Sequence, residues 1–239
     1  MKKQIFKVSV LTGLMAFSNY SIAEGSGFYN GPYAGVGIGH LNDESIYHVV
    51  VLNNSTGAQI SSGSDLGWKS KTTTNFSGTL SAGYSYTLPY ELYSAAEAKF
   101  SYFNKYDVSN LYSSTSGVHK LVYNHAYHLT LKFGKIFYDH FLLYAKGGYV
   151  HGDMTFDADA DNSGLAKKES IPSNGFEYGI GVASRVSDNM VIGLEASKMV
   201  FEKKKITRDP SNSSGVFLRD YITLKPRLST VELKVTYQF

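Results

Sequence analysis

The chain ends in STVELKVTYQF, residues Ser229 to Phe239, in which apolar and polar side chains alternate up to the last residue. Successive side chains of a β-strand point to opposite faces, so this period predicts a strand with one apolar and one polar face. A soluble sheet can show the same alternation, although its strands rarely end on an aromatic residue because termini are normally solvated. The rest of the sequence must show what covers the apolar face, whose positions are Val231, Leu233, Val235, Tyr237 and Phe239.

The N-terminal segment, residues 1–23, has the layout of a cleavable secretory signal peptide. Three lysines precede an apolar centre, and Ser21 and Ala23 supply the small residues of a cleavage site. We therefore expect cleavage after Ala23, which leaves residues 24–239 as a single domain. A membrane anchor is the alternative, but the apolar run is too short and polar residues interrupt it.

Composition points to an exported all-β protein. Without residues 1–23 the chain carries 20 basic and 20 acidic residues, so the pI of about 8.8 gives no reason to expect a nucleic-acid partner. The absence of cysteine excludes disulfides, thiolate metal sites and cysteine nucleophiles. The chain has 19 Tyr, 14 Phe and 23 Gly but no apolar run long enough for a spanning helix, and this combination favours strands.

Eight segments have the period of a strand, and the connections between them alternate between long and short. Tight turns at one end and long connections at the other are typical of an outer-membrane barrel, which must close because every backbone group in lipid needs a partner. Closure should pair the last strand with the first. A soluble sandwich leaves this rhythm unexplained. The predicted strands are Gly31–His40, Thr74–Thr87, Glu91–Tyr102, Leu121–Phe137, Phe141–His151, Gly175–Val186, Val191–Met199 and Ser229–Phe239.

Four long polar connections are predicted as extracellular loops: residues 42–71, 104–120, 152–174 and 201–223. Within the first, Ile46–Leu52 is strand-like and could continue the first strand. Together with Leu66–Lys71 it could instead form an additional hairpin, which would widen the barrel from eight strands to ten.

The polar faces of the predicted strands gather charges of both signs. An eight-stranded barrel encloses a space just wide enough for side chains to fill. Glycines at every second position of the first strand leave room for bulky side chains opposite. We therefore predict an internal ion-pair network in a narrow lumen, formed by Glu97, Lys99, Lys132, Lys146, Glu177, Arg185, Glu195, Glu232 and Lys234.

Several motifs resemble the small outer-membrane barrels of the opacity-protein and outer-membrane protein A transmembrane-domain superfamily. They are the signal peptide, GPYAGVGIG at 31–39, YAKGGY at 144–149 and VTYQF at 235–239. The resemblance covers the chain after the signal and implies an all-β, eight-stranded antiparallel up-and-down barrel in the outer membrane of a Gram-negative bacterium. It also implies that Phe239, with Tyr237 and Val235 behind it, is similar to the signal read by the barrel-assembly machinery. No periplasmic domain follows in this sequence, so peptidoglycan anchoring is not implied.

Candidates for chemistry are few, and we expect no cofactor and no metal site. His125 and His128 are three residues apart, so a strand places them on opposite faces and they cannot share an ion. Residues 157–164 resemble the start of a calcium loop. However, Asn162 occupies the place of the required glycine and Lys168 that of the closing glutamate, which favours a solvated acidic loop.

A basic run opens the last long connection. It could meet lipopolysaccharide phosphates or an acidic partner, but a plain charged rim is an equal alternative because charge runs commonly need no partner. The residues are Lys203, Lys204, Lys205 and Arg208.

Three functions remain open at this point. The favoured one is a non-enzymatic, adhesin-like barrel whose exposed segments contact host surfaces, lipopolysaccharide or other cells. A narrow porin-like channel for small solutes or ions is the alternative, although a lumen filled with side chains argues against wide flow. A lipid-modifying enzyme is the third, but spacing alone assembles no Ser-His-acid set.

Overall fold

The computed structural model describes residues 29–43, 46–53, 59–61, 74–114, 117–160, 167–208 and 218–239. These residues are almost entirely β-strands and turns, with one 3-10 turn at Pro89–Glu91. No helix in these ranges is long and apolar enough to cross a membrane. The predicted signal peptide lies outside the described residues and stays a prediction.

The described strands form a closed eight-stranded barrel and a separate four-stranded sheet. The barrel order is β1-β12-β9-β8-β7-β6-β5-β4, with every pairing antiparallel, and the sheet order is β10-β11-β2-β3. The predicted all-β barrel is thereby confirmed. The strands are β1 Gly31–Asp43, β2 Ile46–Asn53, β3 Gln59–Ser61, β4 Thr74–Leu88, β5 Leu92–Ser114, β6 Gly117–Phe137, β7 Phe141–Ala160, β8 Lys167–Arg185, β9 Met190–Phe201, β10 Lys204–Arg208, β11 Leu218–Lys225 and β12 Arg227–Gln238.

The C-terminal strand closes the barrel. It pairs with β1, where Val36 lies opposite Val235, and on its other side with β9, where Ile192 lies opposite the same valine. The predicted pairing of the first and last strands is therefore confirmed. Closure leaves no unpaired barrel edge to template aggregation.

The outer wall of the barrel is a continuous apolar surface. Side chains that alternate outward are exposed although they are large and hydrophobic; Ile38 is 67% exposed and Phe76 is 68% exposed. Soluble monomers do not expose contiguous apolar patches of this extent, whereas a barrel in a bilayer presents such a band to lipid. Other outward members are Val36, Leu80, Leu129, Leu131, Phe133, Ile180, Leu194 and Leu233.

Three short connections between neighbouring barrel strands lie at one end, here called the turn end, and the opposite end is called the far end. The turn end holds the connections at 88–92, 137–141 and 186–190, and the beginning and end of the described chain lie beside them. The Tyr29 hydroxyl donates to the His140 carbonyl (3.0 Å), and the Gln238 amide donates to the Asn189 carbonyl (2.8 Å). Tight turns at one end of the barrel were predicted from the sequence, and these three connections lie there.

At the far end, two of the predicted loops are strands. Strands β5 to β8 continue through residues 104–114, 117–120, 152–160 and 167–174, so that Ser114 lies opposite Gly117 at the tip of the β5–β6 hairpin. The extension begins where the strand register shifts. These shifts lie between Tyr102 and Tyr106 and between Tyr123 and His125. The polar composition indicated loops, but backbone pairing does not require an apolar face, and so the strands continue.

The other two long connections contribute the four-stranded sheet. Strand β2 pairs with β11, with Val50 opposite Tyr221, and does not enter the barrel wall. The ten-stranded alternative was therefore wrong, although Ile46–Leu52 was correctly identified as a strand. Its suggested partner, Leu66–Lys71, lies outside the described residues.

A turn variant tests the strain at the turn end. Tyr138 and Asp139 have φ values of 53° and 61°, and the His140 amide donates to the Phe137 carbonyl, as in a type I′ turn that favours Asn-Gly. A non-glycine residue in this region costs about 1 kcal/mol, so Asp139→Gly should raise the free energy of unfolding by about that amount. Denaturant titration of the folded barrel in lipid measures it.

The matched control is Ser187→Gly in the β8–β9 turn, where the φ angle is not positive. It should be neutral or destabilising, because added backbone freedom costs stability there. Equal effects of the two glycines would contradict the strained-turn account.

Candidate functional site

The inward face of the barrel brings most of the predicted charges together. Among the described side chains, four carboxylates and four ammonium groups form one connected cluster in which every residue is buried. We call it the charge layer. Its members are Glu97, Lys99, Lys132, Lys146, Glu177, Glu195, Glu232 and Lys234.

One half of the charge layer is built around Lys132. Its ammonium donates to carboxylate oxygens of Glu97 and Glu195, both at 2.9 Å, and lies 5.0 Å from the centre of the Tyr144 ring. Lys234 donates to the same oxygen of Glu97 that Lys132 contacts. Two lysines therefore neutralise one carboxylate that has no access to solvent.

The other half is built around Glu177. One of its oxygens accepts from Lys146 at 2.8 Å and from Lys99 at 3.2 Å. Lys146 also contacts Glu195, while Lys99 reaches Glu232 at 3.5 Å. Every lysine of the layer except Lys234 thus bridges two or more carboxylates, and this links strands on opposite sides of the barrel.

Hydroxyl groups and glycines complete the layer. Thr79 donates to Glu232 at 2.6 Å. A Cβ atom on Gly37 would lie 2.5 Å from both of those side-chain oxygens, so no larger residue fits there. The prediction that the glycines of β1 leave room for larger side chains opposite is confirmed at Gly37. Two tyrosines also donate to the layer, Tyr33 to Glu97 (3.0 Å) and Tyr144 to Glu195 (2.8 Å).

Ser101, His128 and Glu177 are hydrogen-bonded in series. The Ser101 Oγ lies 2.9 Å from the His128 Nε2, and the His128 Nδ1 lies 2.6 Å from the Glu177 Oε2. These distances match a nucleophile, base and acid. However, Ser101 is only 3% exposed and the Glu177 carboxylate is already paired with two lysines, so no substrate carbonyl reaches Ser101 without opening the barrel.

An apolar layer lies on each side of the charge layer. The lower layer, at the turn end, is largely aromatic; Tyr29 and Tyr93 meet edge to face at 5.9 Å. The upper layer, at the far end, includes Leu224 of β11, which brings the separate sheet against the barrel interior. The lower members are Tyr29, Tyr33, Tyr93, Ala95, Ile136, Leu142, Tyr144, Ala183 and Val191; the upper ones are Leu41, Phe103, Leu121, Tyr123, Ala126, Val150, Met154, Ile171, Met199, Phe201, Leu224 and Leu228.

A small cavity is lined by residues of both the lower layer and the charge layer. Its volume is about 40 Å³, enough for a water molecule, and Glu97 and Lys234 are among the residues that line it. Tyr29 lies in the same region, before β1 begins, and burial raises the pKa of its phenol to about 12. The phenol therefore stays a neutral hydrogen-bond donor near pH 7.

Arg185 was wrongly assigned to the internal network. It is the last residue of β8, and its guanidinium donates to the exposed carboxylate of Asp188 at 2.6 Å, within the turn. Alternation placed its backbone on the inward face, but a long side chain at a strand end can reach solvent and the adjoining turn.

The other candidate residues lie at the two ends of the barrel. Tyr237 and Phe239 point outward at the turn end, with ring centres 5.0 Å apart, and Val235 lies on the same face. The backbone of residues 157–160 belongs to β7 rather than to an acidic loop; residues 161–166 lie outside the described ranges. Within the part of the chain that the structure describes, no group of three or more His, Asp or Glu side chains could hold a metal ion.

Lys203, Lys204 and Lys205 follow β9 at the far end. Lys203 and Lys205 are exposed, and Lys204 lies 3.9 Å from Glu202. Arg208 ends β10, and its side chain lies outside the described set.

Sequence reasoning missed two parts of the interior. His128 was considered only as a metal ligand together with His125, although its alternation with Leu129 and Leu131 already placed it on the inward face beside Lys132, and its contact with Glu177 was not predicted. The apolar layers were missed because the strands had been divided into an apolar face for lipid and a polar face for the lumen. The inward Tyr33, Tyr93 and Leu142 carry the alternation signal that would have found the lower layer.

The charge layer predicts a large difference between two lysines on β6. Lys132→Met should lower the free energy of unfolding by about 3–5 kcal/mol, because Glu97 and Glu195 would be left as buried charges with fewer partners. Lys135→Met, three residues along the strand and exposed, should change it by less than about 1 kcal/mol. Denaturant unfolding in lipid vesicles measures both, and similar losses would contradict the account.

Comparison with known proteins supports the architecture. Residues 9–239 match the family described as the outer membrane protein beta-barrel domain. No curated protein sequence matches this chain. Among solved structures, the chain is similar to the outer membrane protein OprG of Pseudomonas aeruginosa, with 15% identity, a TM-score of 0.56 and coverage of 89% of this chain and 99% of that one.

Two weaker structural likenesses involve other small surface barrels. Neisserial surface protein A has 13% identity, a TM-score of 0.43 and coverage of 88% of this chain and 98% of that one. The attachment invasion locus protein Ail of Yersinia pestis has 16% identity, a TM-score of 0.37 and coverage of 83% and 99%. The closed barrel, its apolar wall and the family match together place this chain in the outer membrane of a Gram-negative bacterium, as a member of the outer membrane protein beta-barrel domain family.

Proposed function

We propose that this protein is a non-enzymatic display barrel whose far-end strands contact a ligand outside the cell. In barrels of this type the short turns face the periplasm, so the far end faces outward. The observation that carries the proposal is the size of the far-end structure: β5 to β8 extend past the wall, and the sheet β10-β11-β2-β3 lies beyond it.

Strand length gives the scale of this extension. A tilted strand crosses the hydrocarbon in about 9–11 residues, whereas β5 has 23 residues and β6 has 21. Roughly half of each strand therefore serves no need of the membrane span. We call the far-end parts of β5 to β8, together with the sheet β10-β11-β2-β3, the platform. Paired strands that project from a barrel are suited to holding contact residues for host surfaces, lipopolysaccharide or other cells.

The interior argues against the channel alternative. The charge layer pairs its lysines with its carboxylates rather than leaving one sign free to attract ions, and an apolar layer lies on each side of it. Conduction requires a continuous wet path with sites that ions can enter and leave. A 40 Å³ cavity holds water but does not make such a path.

The interior also argues against the lipid-modifying enzyme. The Ser101–His128–Glu177 series is enclosed in the charge layer rather than open to the lipid or to the cell exterior. The backbone around Ser101 and His128 is paired in the strand ladder between β5 and β6, whereas an oxyanion hole needs donors that are free to bind a substrate.

We further propose that Val235, Tyr237 and Phe239 present the outward aromatic signal that the barrel-assembly machinery recognises. Their side chains lie on the lipid-facing side of β12, and the Phe239 amide donates to the Pro32 carbonyl at 3.0 Å, so the terminal ring is held at the rim.

Trimming the platform tests the display proposal. Tyr106 and Tyr123 lie directly opposite one another, so residues 107–122 can be replaced by Asn-Gly without changing the register below. Cells that express this variant should lose most of the adhesion to epithelial monolayers, and most of the self-aggregation, conferred by the complete protein. The purified barrel should keep heat-modifiable gel mobility.

Asp139→Gly is the matched control, because it alters a periplasmic turn and leaves the exterior intact. It should retain full adhesion and aggregation. Unchanged behaviour of the trimmed protein in both assays would contradict the display proposal.

The assembly proposal is tested with two aromatic residues of the same rim. Phe239→Ala removes the terminal ring but keeps the backbone bond to Pro32, and it should lower the heat-modifiable, folded fraction in the membrane several-fold. Phe141→Ala removes a comparably placed ring outside the C-terminal strand and should have a small effect. Equal folded fractions for both variants would overturn the assigned role of Phe239.

A further inference from the structure

An open groove of about 610 Å³ runs along the outer wall at the far end of β8, β9, β12 and β1. Its outward-facing lining divides into an apolar part and a polar part. Ile180, Ala196 and Val231 form the apolar part, whereas His40 and Lys198 belong to the polar part.

The register explains why a groove forms here. Ile180 lies opposite Ala196, Ala196 opposite Val231, and Val231 opposite His40, so these residues form one row across four strands. Adjacent strands are about 4.8 Å apart, and a small alanine between two branched side chains leaves a trough wide enough for a hydrocarbon chain.

The next row toward the far end is polar. It contains Tyr178, Lys198, Ser229 and Asn42 in successive strands. A lysine on the lipid-facing side of a barrel costs about 2–4 kcal/mol at the bilayer midplane and close to nothing at the interface. An outward lysine such as Lys198 is therefore expected near the membrane interface rather than at the midplane.

Counting along β12 places this row at the membrane surface. Ser229 is ten residues from Phe239, which lies at the turn-end rim. Ten tilted residues rise about 25 Å, which is the height of the apolar band. The row of Lys198 thus lies at the headgroup level of the outer leaflet.

Among the described side chains, exposed lysines lie beyond β9, on the side of the barrel that carries the groove. Lys203 and Lys205 are exposed directly beyond β9, above Lys198. The described outward residues toward the far end of β5, β6 and β7 include Tyr102, Tyr127 and Tyr149, which are uncharged. The groove therefore lies near two exposed lysines and the exposed Glu202.

We propose that this groove binds a phosphorylated glycolipid of the outer leaflet. One acyl chain lies over Ile180, Ala196 and Val231, and a phosphate accepts hydrogen bonds from Lys198 and His40. The His40 ring packs edge to face on Phe76, with ring centres 6.2 Å apart, and lies one row closer to the turn end than Lys198. This site requires the placement in the outer membrane with the far end facing outward, and it does not depend on the adhesion role of the display proposal.

Native mass spectrometry of the purified, folded barrel tests the site. The probes are bis-phosphorylated lipid A, the same lipid without phosphates, and phosphatidylglycerol. The wild-type protein should bind bis-phosphorylated lipid A about tenfold more tightly than either of the others, since charge-assisted hydrogen bonds to phosphate supply the difference. Lys198→Met should abolish that preference, and Ala196→Phe should weaken binding of all three lipids.

Lys135→Met is the matched control. Among the described side chains of the eight barrel strands, lysines point outward at the far end at Lys198 and at the turn end at Lys135. The control should retain the tenfold preference, and all variants should keep heat-modifiable mobility. Equal effects of the two lysine variants, or no preference for phosphate in the wild type, would overturn the site; equal binding of phosphatidylglycerol would overturn its assignment to a glycolipid.

Discussion

The pairing of four lysines with four glutamates inside the barrel is the interaction on which the rest of the structure depends. Removing charges from water is expensive, and a buried ion is stable only when opposite charges and hydrogen bonds surround it. Glu97, Glu177 and Glu195 meet this condition, each with two or more cationic partners. Because these partners come from strands all around the wall, the network is complete only when the barrel has closed.

The surroundings of the charge layer follow from the same requirement. Glycine at position 37 makes room for Glu232 and Thr79, and tyrosine hydroxyls from the lower layer donate to Glu97 and Glu195. The two apolar layers keep bulk water away from the ion pairs, and this strengthens their attraction. Lipid outside, apolar layers within and a neutralised centre thus form one consistent arrangement among the residues that the structure describes.

How much could be predicted from the sequence depended on whether a feature is local. Alternation along each strand is local, so it identified the eight strands, their lipid-facing sides and the residues of the charge layer. The direction of a long side chain at a strand end is not local, which is why Arg185 was placed inside although it pairs with Asp188 in the turn. The far-end strands also escaped detection because their polar composition was interpreted as loops, although residues 153–160 alternate polar and apolar side chains.

Pairing between distant segments was equally hidden. Nothing in Ile46–Asn53 itself shows that its partner is Leu218–Lys225, more than 160 residues away, rather than a neighbour in the barrel wall. His128 is the opposite case, since its position in the alternation was readable but its contact with Glu177 depends on the curvature that closes the barrel.

The central claim is that the interior charges pair with one another and that the filled interior does not conduct ions. Single-molecule conductance in planar bilayers, with wild-type protein and Lys132→Met, tests it most directly. The account predicts no discrete conductance steps from the folded wild-type barrel. Stable open-channel steps whose ion selectivity changes in Lys132→Met would contradict it.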